Sequence, residues 1–254
     1  MEYINEIGLF WAPRLGAALI GTWLFFRILL AFYESLVFPI VFPAFMRRFT
    51  EMYNKNLDKV KGELFWDMPY IKKCFEGQLT ILELGAGTGA NFSYYPEGCS
   101  VIPVEPMGEF EGYLKSCAKQ YPGLTVNKVV KTAGEDLSSI PDESVHAVVA
   151  TLVLCRVSDV EKVVEEIKRV LKPKGKFYFI ENIAGHRDSW TRAIQRFVCP
   201  VWSRLFGGCQ LTMDTWKYIN KAGFYKVEYQ KISAPLPSYC HLLRPHVVGF
   251  AVKK

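Results

Sequence analysis

Directly behind the apolar run Leu79 to Leu82 the chain reads Glu83-Leu84-Gly85-Ala86-Gly87-Thr88-Gly89, and the next apolar run ends in a lone acid, Glu105. Alternating glycines at that place force a turn, and a turn without Cβ atoms lets backbone N–H groups close on a ligand. A carboxylate about 20 residues further on suits the two hydroxyls of a ribose. The two features together outline a nucleoside-cofactor site on a strand–turn–helix unit, which commits the chain to a layered α/β fold.

Two cofactor classes use this outline. Gly85, Gly87 and Ala90 fit the dinucleotide pattern G-x-G-x-x-G/A. The acid at Glu83 and the third glycine at Gly89 point elsewhere: E-x-G-x-G-x-G resembles the first motif of class I S-adenosylmethionine (SAM) methyltransferases, where the turn wraps the methionine end of the cofactor. The order of elements bears on the choice. Strands are expected at Leu79–Glu83, Ser100–Glu105, Leu124–Val130, Val145–Leu154 and Lys176–Glu181, with helical segments at Ala90–Tyr94, Phe110–Gln120 and Val160–Leu171 between them. The last two strands, Tyr225–Ile232 and Pro245–Val252, have no helical pattern between them and read as an antiparallel hairpin. The fold class expected is therefore a Rossmann-like seven-stranded methyltransferase sheet with a terminal hairpin, where a dinucleotide domain has six parallel strands.

The amino terminus reads differently. Leu15 to Phe32 is almost wholly apolar, broken by Arg27, and would reach about 27 Å as a helix, close to a hydrocarbon core of about 30 Å. A second apolar stretch, Leu36 to Phe45, contains Pro39 and Pro43. Arg14, Arg47 and Arg48 flank the block, so a shallow hairpin with both ends in the cytosol satisfies the positive-inside tendency; a single span and a helix packed on the domain are the other readings. Glu2, Glu6 and the lack of a small-x-small site argue against a cleaved signal. The expected organisation is a hydrophobic anchor over 1–46, an amphipathic connecting or lid helix over 47–78 with Tyr53 and Trp66 as lid residues, and a catalytic domain over 79–254.

Seven cysteines without a C-x-x-C pair read as reduced thiols, and no metal site is expected. The net charge of +6 is spread without a dense basic block, which suits an anionic membrane surface and gives no sign of nucleic acid. The sequon Asn91-Phe92-Ser93 falls inside the proposed cofactor turn, so glycan there would block the site.

Longer stretches carry a narrower resemblance. GTGANFSYYPEGCSV, TLVLCRV at Thr151–Val157, RVLKPKGKFYFIEN at Arg169–Asn182 and the closing LLRPHVVGFAVKK are similar to the methyltransferase-like 7 group. That resemblance implies a SAM-dependent S-methyltransferase acting on small lipophilic alkyl thiols, on the endoplasmic reticulum membrane and lipid droplets, with its catalytic domain facing the cytosol. Cofactor contacts are expected from Glu83, Gly85, Ala86, Gly87, Gly89 and Asn91 in the turn, Glu105 and Pro106, Ala133, Gly134 and Glu135 after the third strand, and Thr151 and Leu152 at the end of the fourth. Ala133 stands where this superfamily commonly has an aspartate for the adenine amino group, so backbone at Gly134 and Glu135 is expected to serve.

Methyl transfer from a sulfonium is an in-line displacement, and a thiol is nucleophilic enough that a strong base is optional. The candidate bases are His186, His241 and His246; His186 and Cys155 are the catalytic candidates, although Cys155 ends an apolar run and also suits a wall position. The helical stretch Trp190–Trp216 suits an apolar lid or a membrane-facing helix. Alternatives to a thiol acceptor are a quinone or sterol, RNA adenine, or a non-enzymatic scaffold of the lipid-droplet coat. The N/D-P-P-[YFW] motif usual for adenine methylation after the fourth strand is missing, Thr151-Leu152-Val153-Leu154 having none.

Overall fold

A computed structural model describes the backbone of residues 2–254 and the side chains from Ala17 onward. The chain divides between Ala44 and Phe45 into two compact units. In the first, helix α1 (Glu2–Phe32) runs into a π-turn at Tyr33–Val37, and α2 (Phe38–Phe65) continues from it into the second unit. The junction residues Phe32 and Phe38 are both right-handed helical, so the chain does not reverse there and the expected hairpin is not formed. Pro43 removes one intrahelical bond without ending α2. From Ala17 the apolar stretch is long and apolar enough to cross a membrane, by length and composition.

The second unit is a seven-stranded sheet in the order β3-β2-β1-β4-β5-β7-β6. Its strands are β1 (Thr80–Leu84), β2 (Ser100–Val104), β3 (Thr125–Val126), β4 (Val145–Thr151), β5 (Leu171–Asn182), β6 (Lys226–Ser233) and β7 (Pro245–Val252). β1 to β5 are parallel, and β7 pairs antiparallel with both β5 and β6. The sheet expected for a class I methyltransferase is the one observed.

The central strands read as unbroken apolar runs because both faces are covered. Alternate residues go to opposite layers. Ile81, Val149, Tyr178 and Ile180 pack with Tyr53, Leu57, Phe65 and Met68 from α2 and α3 (Met68–Cys74), while Leu82, Val148, Phe177 and Phe179 pack on the other face. There α5 (Val160–Val170) supplies Val160, Val163, Val164, Ile167 and Val170 at helical spacing, and Asp159 caps it by accepting the Lys162 N–H at 3.1 Å. The second half of α2 is thus one wall of the core.

Three local expectations are corrected. The helix after β1 is a single 3₁₀ turn, Phe92–Tyr94, because Tyr95 precedes Pro96 and is held extended. The third strand is two residues plus a bridge from Val104 to Val130. Pro103 of β2 has no N–H to donate to β3, so the ladder lapses after Val126 and resumes only where Val130 donates to the Pro103 carbonyl and accepts from the Glu105 N–H. β4 stops at Thr151 because Leu152 is left-handed, with φ +57°. The remaining helices are α4 (Glu111–Ala118), α6 (Trp190–Leu205) and α7 (Trp216–Lys221).

Candidate functional site

A cavity of about 370 Å³ opens at the carboxyl ends of the strands, where ligands of open α/β sheets gather. Every cofactor candidate read from the sequence lines it except Gly89. Gly89 instead closes the turn, donating its N–H to the Ala86 carbonyl, and an added Cβ would meet the Cys117 sulfur at 2.8 Å. Gly85 is required twice over: its φ is +57°, and a Cβ would lie 2.6 Å from a Val153 methyl.

Glu105 is buried against this turn. One carboxylate oxygen accepts the Gly87 N–H and the other the Met107 N–H, both at 3.0 Å. Each oxygen keeps a further lone pair for a hydroxyl donor, and both bonds fix the carboxylate's orientation. Burial raises its pKa against the pull of those N–H groups.

Behind the turn lies a polar cluster that the sequence reading missed in part. Asn91 donates its amide to Glu83 Oε1 at 2.9 Å and to Thr151 Oγ1 at 3.2 Å, and its carbonyl accepts Lys61 Nζ at 2.7 Å. Lys61 also reaches Asn54 Oδ1 at 2.6 Å and is fully buried. Burial pushes Glu83 up to about 7 and Lys61 down to about 7, and each charge opposes the other's shift. Among the described residues Glu83 Oε2 is buried without a hydrogen-bond partner of good geometry, with the Tyr95 side chain beside the carboxylate. A signal for Lys61 was in the letters: it shares the apolar face of Tyr53, Leu57 and Leu64, where a lysine is out of place. With both side-chain groups of Asn91 engaged, the sequon is closed to glycan in the folded chain.

The strained Leu152 has a visible cause. Glu181, at the end of β5, accepts the N–H groups of Val153 and Leu154 at 2.9 Å and of Cys155 at 3.4 Å, which curls the chain directly after Leu152. Leu152 itself donates to Ile180 O at 2.8 Å and faces the cavity.

The two catalytic candidates lie elsewhere. His186 is exposed in the loop after β5 and does not line the cavity; its carbonyl accepts the Ser189 N–H at 3.0 Å in the turn that starts α6. Cys155 is buried outside the lining with its sulfur 3.7 Å from that of Cys209, and this contact together with burial holds its thiol well above the ordinary range. A thiol so held is a poor nucleophile. Of the two lid candidates, Tyr53 lines the cavity and Trp66 is exposed outside it. His241 is bonded to Thr191 on the surface, and His246 is buried against Tyr53.

The site fits SAM on features of its own: the buried Glu83 carboxylate for the ammonium of an amino-acid end, an oriented acid for a ribose, and the Ala133-Gly134-Glu135 wall for a base. Fold and site define a class I methyltransferase, with SAM as methyl donor. Residues 82–179 match the family described as a methyltransferase domain. The chain is 42% identical to thiol S-methyltransferase TMT1A of Homo sapiens over 212 residues, which is 84% of this chain and 86% of that protein. It is 38% identical, over the same shares, to thiol S-methyltransferase TMT1B of Rattus norvegicus. Among solved structures it resembles a SAM-dependent methyltransferase of Thermotoga maritima, possibly a histamine N-methyltransferase, with a TM-score of 0.53 at 19% identity over 84% of this chain and 99% of that one. The chain belongs to the thiol S-methyltransferase family of TMT1A and TMT1B.

Proposed function

We propose that this enzyme methylates the sulfur of small lipophilic alkyl thiols at a membrane surface. The observation that carries this reading is that one cavity joins the polar turn of Glu83, Gly87 and Glu105 to an apolar wall of Met46, Phe49, Leu152 and Val153. Bound SAM supplies an electrophilic methyl carbon on a sulfonium. Glu105 fits the ribose hydroxyls, Lys61 and Glu83 offer opposite charges to the amino-acid end, and the backbone at Gly134 and Glu135 faces the base. The apolar wall excludes water and holds an alkyl chain, so its sulfur is confined near Thr151 and Leu152; such confinement supplies most of the catalysis in a displacement that needs little covalent help.

Residues 1–46 serve as the membrane anchor, with the endoplasmic reticulum and lipid droplet as its membranes and the catalytic domain on the cytosolic side. The segment 47–78 connects and covers the site. A second feature supports a membrane surface: α6 leaves Trp190, Phe197 and Val201 exposed along one stripe, with Arg196 and Arg204 on the same helix. Labelled SAM offered with an alkyl thiol, a quinol and RNA tests the acceptor. Label is expected on the thiol, and label confined to either of the others overturns the reading.

A further inference from the structure

Tyr53 and His246 are 193 positions apart in sequence and share a buried hydrogen bond of 2.8 Å between the phenol oxygen and Nε2. The ring's other nitrogen, Nδ1, lies 3.2 Å from the Arg244 carbonyl. A carbonyl only accepts, so Nδ1 carries the proton, Nε2 is the bare acceptor, and the Tyr53 hydroxyl donates to it. The phenol oxygen then keeps its lone pairs for another donor. Tyr53 lines the cavity beside Leu152 and Lys61, while His246 stands behind it outside the lining.

Resting on the thiol reading above, we propose that Tyr53 and His246 form a proton relay that takes the thiol proton during methyl transfer, Tyr53 touching the substrate and His246 receiving the charge. As the thiol sulfur bonds to the methyl carbon and that carbon's bond to the sulfonium sulfur breaks, the S–H proton passes to the Tyr53 oxygen and the phenol's own proton passes to His246 Nε2. The positive charge lost with the sulfonium reappears on the imidazole until water removes the proton.

The surroundings suit this exchange. Burial and the Glu181 carboxylate hold the Tyr53 phenol well above its ordinary range, so it stays protonated and passes one proton while receiving another. Burial drops His246 to about 4, which keeps the acceptor neutral at working pH. A weak acceptor suffices because a sulfur that is gaining a methyl group becomes strongly acidic.

The test compares two acceptors in the full-length enzyme: an alkyl thiol, protonated at neutral pH, and a nitro-substituted thiophenol, already ionised. Tyr53→Phe keeps the ring and removes the relay. It is expected to lower kcat on the alkyl thiol about 100-fold and on the thiophenolate less than about threefold, with cofactor affinity by calorimetry changed less than about twofold. His246→Gln leaves Tyr53 in place and is expected to show the same split between thiols. Equal losses on both thiols would mean that the pair only packs, and an unchanged alkyl thiol rate would mean that no proton passes this way; either result overturns the relay. A wild-type enzyme that labels neither thiol is a separate result, and it removes the thiol reading itself.

Discussion

Lys61 and Glu83 grip the two ends of one buried amide, that of Asn91, the ammonium on its oxygen at 2.7 Å and the carboxylate on its nitrogen at 2.9 Å. The amide therefore cannot flip, and the two titratable groups are held on either side of it at the back of the cofactor turn.

This arrangement makes Lys61 a pH-dependent element of stability. Its folded pKa of about 7 lies below the ordinary 10.5, so between those values the unfolded chain binds more protons and stability rises with pH. The gain is fully present above the unfolded value and is lost as pH falls through about 7. Relative to Lys61→Met, the wild-type protein is expected to gain up to about 3 kcal/mol between pH 7 and 9.5. Denaturant melts at the two pH values check this; parallel behaviour of the two proteins would contradict it.

Glu105→Ala is expected to weaken SAM binding about 10- to 100-fold, the worth of hydrogen bonds to a charged group, while the sheet stays folded. Calorimetry with circular dichroism on the same sample separates the two effects. Unchanged affinity would remove Glu105 from the site.

Gly85→Ala combines a left-handed backbone with a Cβ 2.6 Å from Val153 Cγ2. A loss of about 1–2 kcal/mol is expected from the backbone alone, with more from the contact. Adding Val153→Ala should return the contact part and leave the backbone part. A double variant no better than the single one would show that the contact is relieved some other way.

Glu181→Ala leaves the N–H groups of Val153, Leu154 and Cys155 without their acceptor, at about 1–3 kcal/mol each for those that water cannot reach. Glu181→Gln keeps an acceptor oxygen and should retain most of the stability. Thermal melts that rank the two variants equally would argue against the capping role.

A chain lacking residues 1–46 is expected to leave the membrane fraction. Sedimentation with membranes at an undiminished level would place the attachment elsewhere, with the exposed stripe of α6 the first place to look.

Most of the framework was legible because it rests on local chemistry. The glycine turn, the apolar runs of β1 and β4, and the hairpin of β6 and β7 declare themselves in a few consecutive letters each. The shortfalls have physical reasons. Pro103 weakens β3 through a missing donor on a neighbouring strand, and Leu152 ends β4 because of Glu181, which lies 29 positions later. The site was legible where one segment builds it and obscure where distant segments meet. Gly85 and Glu105 could be read directly, whereas Tyr53 and His246 meet only once α2 has packed under β7. His186 looked available because nothing in its own neighbourhood revealed that the loop points to solvent.

The clamp of Glu181 on three successive amides also bears on how enzymes of this kind diversify. A wall tied to the sheet through its own backbone tolerates little rewriting, so lineages that exchange one acceptor for another should keep the segment after β4 nearly constant. Their substitutions should collect at Met46, Phe49 and Gly207, where the lining comes from outside that segment.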